Sequence, residues 1–213
     1  MTSTETALRA ALCRWGRSLF ERGLTPGSSG NLSVRLGNGF LVTPTNACLG
    51  FLEAARLSRL DTTGRHLDGD PPTKEIPLHM AFYQARPQAQ AVVHLHSTYA
   101  TALSCLADTD PDNAIRPITP YVVMRVGRVP VVPYTPPGDA AVRPLILAKA
   151  PDHAAILLGN HGPVVSGPSL EASVFAAEEL EETARLLFIT RGINVRELGA
   201  SQIAELETRF PRR

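Results

Sequence analysis

Val92-Val93-His94-Leu95-His96-Ser97 places two histidines one residue apart inside a short apolar run that is bounded by Gln90 and Thr98. Side chains of a strand alternate between the two faces of a sheet, so residues i and i+2 project from the same side. As a strand, the stretch aims His94 and His96 at one point and turns Leu95 into packing. Two neutral imidazoles sharing a point are a common beginning of a zinc site. Alone, the His-x-His pattern fits two incidental histidines equally well. Its weight comes from two distant partners, Glu75 in Pro72-Thr73-Lys74-Glu75 and His161 in Gly159-Asn160-His161-Gly162.

His161 follows the apolar run Ala154 to Leu158, which reads as a short strand and gives the imidazole a rigid base. Three imidazoles and one carboxylate complete a four-coordinate site. Glu75 stands at a helix start and suits the fourth position, because a carboxylate can leave the metal when substrate arrives and then act as a base. Among the other histidines, His66 and His153 sit in polar contexts that point to the surface. His79 lies four residues after Glu75 and shares its helix face. Either an orienting role behind the metal ligands or a plain structural one fits it.

Three turns carry the features of an anion site. Ser29-Gly30-Asn31, Thr45-Asn46 and Thr73-Lys74 are rich in small residues, hydroxyls and amides, and Thr73-Lys74 precedes a helix N-terminus, where backbone N–H groups favour an anion. Each turn alone is ordinary loop chemistry. Their joint meaning depends on whether they meet beside the metal.

Around these motifs the chain alternates helices with short strands. Helical periodicity runs from about Thr6 to Arg22, with Gly23 as C-cap. Leu32 to Leu36 and Phe40 to Val42 read as a hairpin across Gly37-Asn38-Gly39. A short helix is expected over Glu53 to Leu57, and Leu60 is followed by the turn Asp61 to Gly64. Helices are expected from Glu75 to about Arg86 and from Ser97 to Leu106, with a surface loop over Ala107 to Asn113. Val122 to Met124 and Val129 to Val132 read as strands, with the nearby prolines favouring sheet edges or loops. A helix after Gly138-Asp139 must place Pro144 near its start. The longest helix runs from Ser169 to Arg191, and its face Glu178, Glu179, Glu181 and Glu182 reads as solvated. A last helix is expected over Ser201 to Phe210. The alternation indicates a layered α/β or α+β domain spanning 1–213.

The 213 residues suffice for a substantial core, and 44% hydrophobic with 19% charged residues suits a globular chain. A formal net charge of +1 gives no electrostatic reason to expect nucleic acid or an anionic membrane as a partner. An anionic substrate must therefore be held by a local site. Cys13, Cys48 and Cys105 are scattered and odd in number, as for reduced thiols. No apolar run approaches the ~20 residues of a membrane span, and Met1 to Glu5 lacks a signal-peptide pattern. The expectation is a cytoplasmic protein.

Taken together, Ser29-Gly30-Asn31-Leu32-Ser33, Thr43-Pro44-Thr45, Glu75, His94-Leu95-His96 and Asn160-His161-Gly162 resemble the class II aldolase/adducin superfamily, with the fuculose-phosphate aldolase branch as prototype. The resemblance implies a three-layer α/β/α fold around a mainly antiparallel central sheet, assembled as a homotetramer. It implies Zn2+ (or another divalent metal) held by His94, His96 and His161, with Glu75 as ligand and acid/base. It implies phosphate bound at Gly30, Asn31, Thr45, Asn46, Thr73 and Lys74. It also implies that Tyr121, in Thr119-Pro120-Tyr121, assists proton transfer in a neighbouring subunit, so that active sites lie at interfaces.

Several stretches are most similar to the 3-oxo-tetronate 4-phosphate decarboxylases of that superfamily: Thr43 to Asn46, Leu49 to Leu52, Gly69 to His79 and Tyr121 to Gly127. The prototype aldolase has a serine where Lys74 stands, and a lysine there can meet a substrate carboxylate or strengthen the hold on phosphate. A 3-oxo acid can lose CO2 to a metal-stabilised enediolate, which on protonation gives dihydroxyacetone phosphate. An aldolase of a sugar phosphate or keto acid uses the same enediolate and remains the alternative. A non-catalytic adducin-like module would have eroded ligands, and the related epimerases resemble this pattern with aspartate at the position of Glu75.

Overall fold

The computed structural model describes residues 2–211. Its strands are β1 (Asn31–Leu36), β2 (Gly39–Val42), β3 (Ser58–Asp61), β4 (His66–Asp68), β5 (Ala91–His94), β6 (Val131–Val132), β7 (Ala155–Leu158) and β8 (Gly162–Gly167). They form one sheet in the order β4-β3-β2-β1-β5-β8-β7-β6, antiparallel throughout except for the β6–β7 pair. The helices among the described residues are α1 (Ser3–Glu21), α2 (Ile76–Ala85), α3 (Thr98–Ser104), α4 (Pro120–Arg125), α5 (Val142–Lys149), α6 (Leu170–Ile189) and α7 (Ala200–Arg209). This is the mixed α/β architecture with a mainly antiparallel central sheet that the sequence implies.

Strand alternation sorts the core into two layers. Leu32, Val34, Val93, Leu157 and Val165 pack with Leu12 and Leu19 of α1, Leu103 of α3 and Val174 and Leu180 of α6. On the opposite face Phe40, Val42, Val92, Ile156 and Val164 pack with Leu78 and Phe82 of α2 and Val142 and Ile146 of α5. Each fully buried leucine contributes about 1.5–3 kcal/mol by leaving water, so both layers stabilise the sheet they share. The same alternation leaves Asn31 and Ser33, buried and alternating with Leu32 and Val34, on the face that α2 covers. A polar strip thus interrupts the α2 layer beside β5.

Local chemistry fixes the element ends. Thr2 and Ser169 cap α1 and α6 through side-chain oxygens that accept the N–H groups of Glu5 and Ala172. Pro144 lies in the first turn of α5, where its missing N–H costs nothing.

The structure corrects four expectations. Val122 to Met124 belong to α4, because Thr119 caps the segment, Pro120 starts it, and the Val126 N–H returns to the Val122 carbonyl. Capping chemistry here overrides the β-propensity of a valine pair. Of Val129 to Val132 only Val131–Val132 pairs in the sheet, at its edge, since Pro130 has no N–H to give and offers only its carbonyl to Leu157. The strands β3 and β4 flank the turn Asp61 to Gly64 where only a turn was expected. Only Ser58 and Leu60 of their residues are buried, and Leu60 and Leu67 are their only apolar side chains, so no apolar alternation marked them. Finally, Glu181 is not part of a solvated face: it is buried, and its carboxylate accepts the Tyr99 and Ala100 N–H groups at 2.9 and 2.8 Å. Glu178 pairs with Arg22, and Glu182 lies exposed beside Arg185.

Candidate metal centre

His94 is the last residue of β5, and His96 lies just beyond the strand's end. His161 sits in the tight β7–β8 connection. That turn needs Asn160 at φ 55° and Gly162 at φ 152°, and a Cβ on Gly162 would stand 2.5 Å from the Leu95 carbonyl oxygen. Glycine therefore lets the His161 turn lie directly against the His94–His96 segment. Glu75 is the residue before α2, its N–H held by Thr73 Oγ1 at 3.3 Å.

The four side chains meet. His94 Nε2 lies 3.1 Å from His96 Nε2, 3.3 Å from His161 Nε2 and 3.3 Å from Glu75 Oε2. Glu75 Oε1 lies 3.6 Å from His161 Nε2. His94 Nδ1 donates to the Pro163 carbonyl at 2.9 Å, which fixes the tautomer and turns the Nε2 lone pair inward. Burial pulls His94 down to about 4, against the opposing pull of Glu75, and burial also lowers His96. These rings are neutral at neutral pH. Burial raises the Glu75 carboxyl, but His94 and the Asn31 amide, with the other histidines, more than offset it and hold it below the ordinary carboxylate value.

Three imidazoles and an ionised carboxylate thus face one another at contact distance, with His94 wholly buried and the Glu75 side chain 11% exposed. A divalent cation resolves that convergence, and the donor set of three nitrogens and one carboxylate is one that zinc takes. His94, His96 and His161 have their ligand atoms within 4.8 Å of one another. The residues present fit the metal.

Behind Glu75 stands a chain that the sequence only partly signalled. Asn31 Nδ2 donates to Glu75 Oε2 at 2.7 Å. Asn31 Oδ1 is bonded to His79 Nε2, and His79 Nδ1 to Ser33 Oγ at 2.7 Å. Ser33 Oγ meets the Tyr83 hydroxyl at 2.9 Å. The available signal was the i, i+4, i+8 spacing of Glu75, His79 and Tyr83 against the i, i+2 pair Asn31 and Ser33.

The turns read as anion-binding divide. Gly30, at φ 76°, lies against the His94 backbone, where a Cβ would stand 3.0 Å from the carbonyl oxygen. Asn31 next to it has its side-chain amide engaged by Glu75 and His79. The Thr43–Asn46 and Pro71–Lys74 segments are laced together by the Pro44–Pro72 bridge and by the Thr45 and Thr73 N–H groups, which bond the Pro71 and Thr43 carbonyls at 2.9 and 3.2 Å. Thr45 and Asn46 line a cleft of about 250 Å³ with Cys48, Phe51 and Arg56. Lys74 is exposed, with its backbone against Gly138. Tyr121 stands apart: it is 54% exposed on α4, in a groove with Arg125, Phe175 and Glu179, and among the described residues no contact joins it to the histidines. His66 and His153 bond backbone carbonyls away from the cluster.

The sequence model of the Class II Aldolase and Adducin N-terminal domain matches residues 10–188. A 3-oxo-tetronate 4-phosphate decarboxylase of Pectobacterium atrosepticum is 51% identical over 96% of this chain and 94% of its own. An L-fuculose phosphate aldolase of Escherichia coli is 34% identical over 80% of this chain and 78% of its own. Among solved structures, a putative aldolase/epimerase/decarboxylase from Klebsiella pneumoniae superposes with a TM-score of 0.93 at 52% identity, covering 97% of this chain and 99% of that one. An L-fuculose 1-phosphate aldolase does so with a TM-score of 0.85 at 25% identity, covering 99% and 97%. On the extent of the family match and the identity of these relatives, the chain belongs to the class II aldolase and adducin family.

Proposed function

We propose that this protein, a carbon–carbon lyase by its relatives, decarboxylates a 3-oxo-tetronate 4-phosphate to dihydroxyacetone phosphate and CO2. The observation that carries the reading is the meeting of the Glu75 carboxylate with His94 and His161 Nε2, and of His94 Nε2 with those of His96 and His161. Held by these four groups, Zn2+ or another divalent cation would supply Lewis-acid polarisation of the substrate's C3 carbonyl, which favours breaking the C1–C2 bond.

The chain's own residues do the rest. Glu75, ionised in the substrate-free site, would take up a proton from solvent once substrate is bound and pass it to C2, which replaces the departed carboxyl group and completes dihydroxyacetone phosphate. Gly30, Thr45, Asn46, Thr73 and Lys74 are the candidate phosphate ligands, and any help from Asn31 would come from its backbone. Lys74 supplies a cation that the aldolase prototype lacks, suited to the second negative charge of a sugar-acid phosphate. Tyr121 is exposed in a groove that none of its own chain's histidines lines, which supports a role in the site of a neighbouring subunit and with it a homotetramer whose sites lie at interfaces.

Incubating the zinc-loaded protein with D- and L-configured 3-oxo-tetronate 4-phosphates, while following CO2 and triose phosphate together, tests the reading. Equal release of both, abolished by a chelator, is expected. Cleavage to an aldehyde without CO2 would mark a class II aldolase, and no lyase activity on either substrate class would mark an adducin-like module.

A further inference from the structure

We propose that His79 is a positioning residue whose neutral, Nε2-protonated ring locks the Asn31 amide and thereby aims Glu75 at the histidine cluster. The assignment follows from donors and acceptors taken in turn. An ionised carboxylate accepts only, so the Asn31 NH2 group must face Glu75 Oε2, 2.7 Å away. Asn31 Oδ1 is then an acceptor, and the His79 Nε2 bonded to it must carry the proton. A neutral ring has one N–H, so His79 Nδ1 accepts from the Ser33 hydroxyl at 2.7 Å. Ser33 Oγ in turn accepts from the Tyr83 hydroxyl at 2.9 Å. Every link in the chain points the same way, from Tyr83 to Glu75.

The surroundings support this polarity. His79 is 2% exposed, and its two ring nitrogens meet the Asn31 amide and the Ser33 hydroxyl, so the ring is buried among uncharged partners, which favours its neutral form. Burial raises the Tyr83 phenol and keeps it a donor. Arg35 anchors the outer end, with its guanidinium 4.7 Å from the Tyr83 ring centre and bonded to the Tyr83 carbonyl at 3.0 Å. Without a donor at His79 Nε2, the Asn31 amide keeps only its bond to Glu75 and loses the anchor on its oxygen side. The amide and the carboxylate it holds would then be free to swing together away from the cluster. Partners of this outer kind typically change metal affinity or activity by about 10–100-fold.

The inference rests on Glu75 working beside the histidines, and two of its readouts need no substrate. Zinc-loaded protein with [15N]histidine is expected to show His79 protonated at Nε2 and bare at Nδ1 at neutral pH. His79→Leu is expected to lower zinc affinity and kcat by about 10–100-fold with KM nearly unchanged, and His79→Gln, whose side-chain N–H can reach Asn31, to recover most of both. A charged or Nδ1-protonated ring would overturn the proposal. So would wild-type affinity and kcat in His79→Leu, or equal losses in both variants that track a lower melting temperature. A protein with no decarboxylase activity would refute the functional reading while the tautomer and zinc affinity still decided this one.

Discussion

The Glu181 carboxylate of α6 accepts the backbone N–H of Tyr99 at 2.9 Å, and so caps the helix that begins two residues after His96. Ser97, the formal N-cap, makes no side-chain cap bond. A charge-assisted cap from a distant helix thus replaces the usual local one and ties the His96 segment to α6. Hydrogen bonds to charged groups contribute about 1.5–3 kcal/mol each in net terms. Glu181→Ala is therefore expected to lower unfolding free energy by about 2–4 kcal/mol, with Glu181→Gln losing less. Urea unfolding with an unchanged m-value checks it.

Gly162 tests the backbone side of the site. Its φ of 152° and the 2.5 Å approach to the Leu95 oxygen leave no room for a Cβ. Gly162→Ala should displace His161, cost about 1–3 kcal/mol of stability and weaken zinc retention. Differential scanning calorimetry and metal analysis of the purified variant measure both.

Acid should destabilise the metal-free protein. The folded His94 titrates at about 4, whereas an unfolded histidine titrates at about 6.5. A group with a depressed folded value binds its proton first in the unfolded chain, so its contribution is intact above about pH 6.5 and is lost as pH falls towards 4. His94 alone is worth on the order of 3 kcal/mol across that window. Chemical denaturation of the metal-free protein at a series of pH values should show this slope, and a flat profile would contradict the buried neutral ring.

Tyr121 offers a test of shared sites. Mixing Tyr121→Phe subunits with His96→Ala subunits, each impaired alone, should restore activity, because one intact site forms wherever a wild-type tyrosine meets a wild-type histidine cluster. Activity that stays at the sum of the two parents would place Tyr121 outside the site.

Much of this was legible in the sequence because period and spacing carry geometry. The His94-x-His96 interval states that both rings share a face, and the apolar run before His161 states that its base is rigid. The i, i+4 interval from Glu75 to His79 states a shared helix face but not what lies opposite. Only the β1–β5 register, which sets Asn31 across from His94, shows Asn31 joining His79 to Glu75. Likewise the acidic run of α6 gives no local sign that Glu181 turns inward, because the N–H groups it meets lie 81 and 82 residues away. The strands β3 and β4 were silent because they are four and three residues long and carry one apolar side chain each, Leu60 and Leu67, too few to show the alternation by which strands are read.

His94, His96, His161 and Glu75 are expected to hold one divalent cation. X-ray absorption at the zinc edge, on protein dialysed to constant metal content, tests this most directly. One zinc per chain with three imidazole nitrogens and a carboxylate oxygen in its shell is predicted. A protein that retains no divalent metal, or a shell lacking the imidazoles, would contradict it.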